Sequence, residues 1–268
     1  MYEAYWGLSE KPFENTPDPR FFFASGQHQE ACARMLYCIR ERKGAGFLTG
    51  AFGCGKTVVG HVIFQELNQE RYRSAFITNP RLSEVDFLRM VAYQLGVIHP
   101  PSNKTEVLIA LQELVANNAS EGRDTVVLVD EAHTIVDLGV FEELRLLLNF
   151  QVAERFLVTL LLFGQPELAR VINENKPFEQ RIGIKSRLEG LTLEETRDYV
   201  VHRLRVAGMA HPETVFSQEA LGLVYESTGG LPRRINRLCD VCLLAGFGAR
   251  AQTVDAAVVR DEVKGLAV

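Results

Sequence analysis

The chain has 268 residues, 47% of them hydrophobic, and its 29 Lys and Arg residues against 34 Asp and Glu give a formal net charge of −5. This charge excludes nucleic-acid binding through bulk positive charge, and the length allows a buried core without a disulfide or metal staple. The acidic start without an apolar stretch behind it excludes a signal peptide. The longest strongly apolar run, residues 156–163, is too short to span a bilayer. We expect a cytoplasmic chain without a membrane span.

Residues 1–25 are rich in aromatic rings and prolines without a helical or strand period. Each proline disfavours the helical conformation of the residue before it, and so many rings are unusual in a solvated tail. We therefore predict an irregular arm held down by buried rings. Whether the arm packs on its own chain or on a neighbour is left open. From Gln27 the pattern becomes helical and ends by Lys43-Gly44.

The next part of the chain alternates short apolar strands with amphipathic helices. Continuous rather than alternating apolar strands indicate a parallel sheet covered on both faces. Ser83 and Asp86 have the spacing of a helix N-cap. The pattern predicts a doubly wound α/β fold, with strands at 46–49, 74–78, 125–129 and 156–163 and helices at 56–70, 83–95, 105–118, 140–150 and 166–174.

After Leu188 no further strand is predicted. Thr192 and Glu195 form a capping box, and helices are predicted from there and at 217–227, 232–245 and 255–264. The predicted domains are an N-terminal arm (1–25), an α/β core (26–190) and a small all-helical lid (191–268).

Five cysteines, an odd number without framework spacing, indicate reduced thiols. Cys239 and Cys242 form a Cys-x-x-Cys pair inside a helical apolar pattern. The pair either packs in the core or serves metal or redox chemistry. Zinc normally takes four ligands, and the lack of a second pair favours packing.

Gly50 to Thr57 match the pattern G-x-x-x-x-G-K-T between a predicted strand and a predicted helix. Such a loop turns its backbone N–H groups toward phosphate oxygens, and the helix N-terminus adds partial positive charge. Lys56 is expected to reach the β- and γ-phosphates, and the Thr57 hydroxyl to ligate Mg²⁺. The predicted ATP-binding residues are Gly50, Gly53, Cys54, Gly55, Lys56, Thr57 and Val58.

Asp130 and Glu131 end the apolar strand that begins at Thr125. This position brings both carboxylates to the sheet edge where ligands bind in open α/β folds. We expect Asp130 to join Thr57 in holding Mg²⁺, and Glu131 to act as general base toward the attacking water. His133 either contacts Glu131 or caps the strand end.

Gln165 follows the last predicted strand, beside the ends of the first and third strands. There it can touch the γ-phosphate or the lytic water, or it can simply be a turn residue before a helix that starts with proline. Phosphoryl transfer also needs a cation on the developing charge, often an arginine from a neighbouring subunit. Arg181 and Arg233 are the candidates.

This order of motifs resembles the AAA+ ATPases, and more narrowly the ATPase domains of the general secretion pathway protein A family (ExeA-like). Transposition target-selector ATPases share the architecture. The resemblance rests on the stretches at 6–31, Glu142–Asn149, Gly164–Leu168, Gln180–Ile182 and Gly229–Asp240. It implies a sensor-1 role for Gln165, an arginine finger at Arg181 (with Arg187 the weaker alternative) and a sensor-2 role for Arg233. It also implies a nucleotide-dependent homo-oligomer, either a ring or a filament.

Two residues depart from the family pattern. Cys54 replaces a smaller P-loop residue and is expected to be sensitive to thiol reagents, and His133 stands where glutamine is expected. The functional reading is Mg²⁺-dependent ATP hydrolysis that powers or regulates an envelope secretion or pilus-type machine through a protein client. The alternatives are an ATP-dependent DNA-associated regulator, which the charge of −5 disfavours, and a nucleotide-dependent scaffold with slow turnover.

Overall fold

A computed structural model describes residues 1–152 and 155–266. These residues form two compact units. The sheet unit contains His28–Phe52 and Lys56–Leu188, and the helical unit contains Met1–Gln27, Gly53–Gly55 and the chain from Glu189 onward. Residues 153 and 154 of the predicted core and the last two residues of the predicted lid lie outside the described residues.

The sheet unit is built on five parallel strands in the order β2-β3-β6-β1-β7. Every residue of β1 and β6 is buried, because helices cover both faces of the sheet. The doubly wound α/β fold is therefore confirmed. The strands are β1 (Ala45–Gly50), β2 (Tyr72–Ile77), β3 (Asp124–Val129), β6 (Val158–Gly164) and β7 (Ile182–Leu188). Separately, β4 (Gln151–Val152) pairs antiparallel with β5 (Arg155–Phe156).

Capped helices connect these strands. Ser83 accepts a hydrogen bond from the Asp86 backbone N–H, which confirms the predicted N-cap. A buried core of aliphatic and phenylalanine side chains, centred on Phe87, Phe141 and Phe178, joins helices to sheet. The helices are α2 (Gly26–Arg40), α3 (Lys56–Glu66), α4 (Glu84–Gln94), α5 (Lys104–Ser120), α6 (Leu138–Leu147), α7 (Glu167–Glu174) and α8 (Lys176–Glu179), with a 3-10 turn at Ala132–Thr134.

Strand β7 was not predicted, and it forms an edge of the sheet by pairing with β1. Its side chains alternate between half-buried and exposed positions along Ile182–Leu188. The prediction relied on continuous apolar runs, which identify strands buried on both faces, whereas an edge strand needs only alternation. The antiparallel pair of β4 with β5 was also not predicted.

The helical unit joins the N-terminal arm to the chain after Leu188. The capping box of Thr192 and Glu195 is confirmed at the start of α9. Helices of this unit are α1 (Glu3–Trp6), α9 (Leu193–Val206), α10 (Gln218–Thr228), α11 (Pro232–Gly248) and α12 (Ala256–Leu266), with 3-10 turns at Pro19–Phe21 and Pro212–Thr214. The turn at 3–6 corrects the prediction that the arm contains no helix.

Buried rings hold the arm within the helical unit. Tyr2, Trp6, Phe13 and Phe21 belong to one core with side chains of α9, α10 and α11. The Trp6 indole N–H donates to the carbonyl of Leu243 at 3.0 Å, because a buried indole donor requires a partner. The arm thus packs on its own chain, which answers the question left open by the sequence.

The guanidinium of Arg203 is a second attachment of the arm. It is 6% exposed, and it donates to the carbonyls of Pro12 at 2.5 Å and Glu14 at 2.9 Å. It also lies over the Phe21 ring, 4.3 Å from the ring centroid. One buried charge therefore satisfies backbone carbonyls of an arm segment that has no regular hydrogen-bonding pattern.

No helix within residues 1–152 and 155–266 has the length and hydropathy needed to cross a bilayer.

Candidate functional site

The phosphate-loop segment begins where β1 ends at Gly50 and continues into α3 at Lys56. Gly53 and Gly55 have φ angles of 82° and 105°, a region that L side chains adopt only with strain. A Cβ atom at Gly53 would also lie 2.6 Å from Cβ of Arg233, and the Arg233 N–H donates to the Gly53 carbonyl at 3.1 Å. The local backbone thus requires glycine at this position.

Lys56 begins α3 with a side chain that is only 4% exposed. Its Nζ donates to the carbonyl oxygens of Gly50 at 2.9 Å and Ala51 at 3.0 Å. These contacts hold the ammonium group back against the loop. A buried cation satisfied by neutral carbonyls retains its full charge for an anionic ligand.

Thr57 and Asp130 come together from different elements. The Thr57 hydroxyl donates to Oδ2 of Asp130 at 2.6 Å, and Oδ1 of Asp130 accepts the N–H of Glu131 at 2.9 Å. Asp130 is 2% exposed at the end of β3. Hydroxyl and carboxylate oxygens are the donors that Mg²⁺ prefers. This pair therefore fits the metal that the sequence assigns to it.

Glu131 has a left-handed backbone, with φ 52° and ψ 31°, at the start of the 3-10 turn Ala132–Thr134. That conformation costs a residue other than glycine roughly 1–2 kcal/mol. The turn is held by the Thr134 hydroxyl, which donates to the Glu131 carbonyl at 2.8 Å. Backbone strain of this kind concentrates at functional positions. The Glu131 side chain itself is 34% exposed.

His133 contacts both Glu131 and Gln165. Its Nε2 lies 3.4 Å from Oε2 of Glu131 and 2.8 Å from the side-chain amide of Gln165. The backbone N–H of Gln165 donates to Nδ1 at 3.3 Å. The contact with Glu131 was one of the two alternatives. The contact with Gln165 was not predicted. The available signal was that His133 and Gln165 follow neighbouring strands.

Gln165 follows β6, and β6 lies between β3 and β1. The predicted neighbourhood of this strand end is therefore confirmed. The same sheet order brings the ends of the strands that carry Gly50, Asp130 and Gln165 to one edge.

The arginine candidates lie in separate places. Arg181 precedes β7, where it donates to Oδ1 of Asn149 at 3.1 Å and lies 5.9 Å from the Phe156 ring centroid. Arg187 lies within β7, in register with Thr49. Arg233 occupies the first turn of α11. Among the residues described, no hydrogen bond joins Arg181 to Asp130, Glu131 or Gln165, so the structure leaves the choice of finger as a prediction.

Three of the five cysteines lie where reagents and metals have little access. Cys54, Cys239 and Cys242 are each 0% exposed. Burial raises the pKa of the Cys242 thiol to about 12 and that of Cys239 well above its ordinary value. No cluster of metal-binding side chains occurs in the described part of the chain. These findings favour core packing for the pair, and the burial of Cys54 opposes the expected sensitivity to thiol reagents.

A family model described as an AAA domain matches residues 39–172. The chain belongs to the AAA domain family. As a member of this family it is an AAA+ ATPase. It is 36% identical to general secretion pathway protein A of Aeromonas hydrophila over 273 residues, which cover 99% of this chain and 49% of that protein. The chain thus spans about half the length of this relative.

Solved structures of AAA+ proteins share the fold. The Aeropyrum pernix ORC2 protein in ADPNP-ADP complexes has a TM-score of 0.70 at 18% sequence identity, and the match covers 96% of this chain and 71% of the ORC2 chain. Cdc6p from Pyrobaculum aerophilum has a TM-score of 0.68 at 16% sequence identity, and the match covers 92% of this chain and 70% of the Cdc6p chain. The Thermotoga maritima RuvB Holliday junction branch migration motor has a TM-score of 0.57 at 18% sequence identity, and the match covers 89% of this chain and 69% of the RuvB chain. At these identities the likeness extends to the fold alone.

Proposed function

We propose that the chain hydrolyses ATP in a Mg²⁺-dependent reaction within a homo-oligomer, and that turnover drives or regulates an envelope secretion or pilus-type machine. The observation that carries the chemistry is the contact between Thr57 and Asp130, which joins the start of α3 to the end of β3. A hydroxyl and a carboxylate at that position match the magnesium pair of a P-loop ATPase.

Each neighbouring residue then has a defined task. The Lys56 ammonium compensates charge on the β- and γ-phosphates, and the loop from Gly50 to Thr57 holds the phosphate oxygens with backbone N–H groups. Mg²⁺, held by Thr57 and Asp130, would supply positive charge that neutralises the charge developing on the phosphates. The Glu131 carboxylate orients the attacking water and accepts its proton.

Gln165 and the arginines complete the set. Gln165 takes the sensor-1 role next to β6, and Arg233 takes the sensor-2 role near the Gly53 carbonyl that its N–H contacts at 3.1 Å. Arg181 acts as the finger on the site of the next subunit, with Arg187 as the alternative. A finger supplied by a neighbour explains why an oligomer, either a ring or a filament, is part of the proposal.

Similarity to general secretion pathway protein A supports the envelope machine and a protein client. The DNA-associated alternative is not favoured. Two ORC structures in the comparison contain DNA, but at 17% and 14% identity they support the fold only. The net charge of −5 also disfavours binding to the DNA phosphate backbone. A salt-sensitive, ATP-dependent shift of duplex DNA in a gel would reverse this order.

Glu131→Gln tests the reaction. The amide cannot accept the proton from water, so we expect kcat to fall at least about 100-fold while ATP still binds. Glu174→Gln, in an exposed carboxylate at the end of α7, is the matched control and should turn over normally. Unchanged turnover in Glu131→Gln would contradict the assignment of Glu131 as the general base. The alternative of a nucleotide-dependent scaffold with slow turnover would then remain.

Mixed oligomers test the shared site. Arg181→Ala and Lys56→Ala are each expected to be inactive alone. Mixing them should restore part of the activity, because some interfaces then combine an intact phosphate loop with an intact finger. Recovery with Arg187→Ala in place of Arg181→Ala would assign the finger to β7 instead. Failure of both mixtures would contradict the finger in trans.

A further inference from the structure

The side chain of His133 is 13% exposed and stands between those of Glu131 and Gln165. One of its neighbours is the proposed general base and the other the proposed sensor. Its two ring nitrogens contact different groups, and this asymmetry defines where the ring proton resides.

The backbone N–H of Gln165 donates to Nδ1 at 3.3 Å. A nitrogen that accepts a hydrogen bond carries a lone pair, so in the neutral ring the proton is on Nε2. An Nε2–H group cannot accept from the NH₂ of Gln165, which lies 2.8 Å away. The side-chain amide of Gln165 therefore presents its oxygen to Nε2–H. This requires a rotation of the amide by about 180°, which exchanges its oxygen and nitrogen, two atoms of nearly equal size.

The same Nε2–H faces a second acceptor, Oε2 of Glu131, at 3.4 Å. Two acceptors thus compete for one donor. The Gln165 contact is the shorter, so it takes the stronger hydrogen bond. If Gln165 turns toward a γ-phosphate, the Nε2–H becomes available to the Glu131 carboxylate.

We propose that His133 is a positioning residue that couples Gln165 to Glu131, by transferring its single Nε2–H donor from the sensor amide to the base when the sensor engages the γ-phosphate. The hydrogen bond then fixes the carboxylate for the attacking water. Because the effect is exerted through Glu131, it rests on the proposed function. Misplacing a catalytic group by about 1 Å can cost about 100-fold in rate.

Three substitutions separate the two ring nitrogens. His133→Asn places an oxygen near the Nδ1 position and removes the Nε2–H donor. His133→Phe keeps a ring and removes both functions. His133→Gln extends an NH₂ group to the Nε2 position and restores the donor. We expect the first two to lower kcat about 10-fold or more with KM for ATP unchanged, and His133→Gln to recover most of the loss.

The control is His99→Asn, in an exposed histidine of the loop after α4, which should turn over normally. The His133→Asn effect should also disappear in a Glu131→Gln background, because a donor has no catalytic consequence without the base. The coupling would be overturned by normal kcat in His133→Asn and His133→Phe, by loss in His133→Gln equal to that in His133→Phe, or by a change in KM alone.

Failure of this inference and failure of the proposed function give different results. If Glu131→Gln abolishes turnover while His133→Asn and His133→Phe remain active, only the coupling is wrong. If Glu131→Gln remains active, the base assignment is wrong, and the coupling through Glu131 falls with it. ATP binding and thermal melting of each variant verify that the fold is intact.

Discussion

The Thr57 hydroxyl donates a 2.6 Å hydrogen bond to Oδ2 of Asp130. The bond uses the only proton of the hydroxyl, so the lone pairs of its oxygen remain free to coordinate a cation. It also gives the buried Asp130 carboxylate a partner that complements the N–H of Glu131. One contact therefore serves both the stability of the strand end and the proposed metal site.

Thr57→Val should remove the hydroxyl, and with it both of these effects, while keeping the shape of the side chain. Valine is nearly isosteric but has no hydroxyl, so Mg²⁺ loses an oxygen ligand and Asp130 loses a donor. We expect ATP affinity in the presence of Mg²⁺ to fall about 10-fold or more, and affinity in EDTA to change little. Thr57→Ser should retain the wild-type response. Isothermal titration calorimetry with a non-hydrolysable analogue measures both; equal affinities of Thr57→Val and wild type in Mg²⁺ would contradict the assignment.

Gly53→Ala should distort the phosphate loop. The added Cβ would meet Arg233 at 2.6 Å in a backbone with φ 82°, at a conformational cost of about 1–2 kcal/mol before any clash. We expect weaker ATP binding and lower stability. Gly222→Ala is the control in the interior of α10, where nothing lies within 4 Å, and it should stabilise by about 0.5–1 kcal/mol. Urea unfolding compares the two; equal shifts would contradict the close approach.

Arg203→Ala should release the arm. The substitution leaves the carbonyls of Pro12 and Glu14 without their charged donor, a loss of about 2–3 kcal/mol. Trypsin should then cleave after Arg20, an exposed arm residue followed by Phe21, sooner than in wild type. Arg205→Ala, in an exposed arginine on the same helix, should be cleaved like wild type. Unchanged cleavage of Arg203→Ala would mean that the rings alone hold the arm.

His202 should make the stability of the helical unit depend on pH. Burial and the nearby charges of Arg203 and Arg205 lower the pKa of this imidazole. Its ordinary pKa is about 6.5, so below that value the unfolded chain binds a proton that the folded chain does not. The stabilising contribution is present above pH 6.5 and is lost as the pH falls.

We expect the urea midpoint of the wild type to fall between pH 7.5 and pH 5.5, and His202→Gln to reduce this slope. The control is His211→Gln, because that imidazole is 80% exposed and its removal should leave the slope intact. A wild-type slope that survives in His202→Gln would assign the pH dependence to other groups.

The strands and caps that the sequence predicted depend on local signals. Strands β3 and β6 are buried on both faces, so nearly every residue had to be apolar, and Thr192 and Glu195 are only three residues apart. Strand β7 has no such signal, because one face is exposed and Gly183 interrupts the pattern.

The site was predictable in its local motif spacing but not in its cross-strand contacts. The phosphate loop is a contiguous segment, and its chemistry follows from residue type. The bond from Gln165 to His133 joins residues 32 positions apart, and it exists because β6 lies next to β3. Sheet order and side-chain reach determine such a contact, and neither is encoded in a short window of sequence.

The arm imposes an order on synthesis. The arm is synthesised before the helices that cover it, since Trp6 bonds to a carbonyl 237 residues later in the chain. At about 5–20 residues per second, the roughly 160 residues between the arm and Glu189 take about 8–32 s to emerge. During that time the sheet unit can complete its fold, but the four buried aromatic rings of the arm have no helices of their own unit to pack against. The apolar surface of the arm is therefore exposed to aggregation throughout this interval.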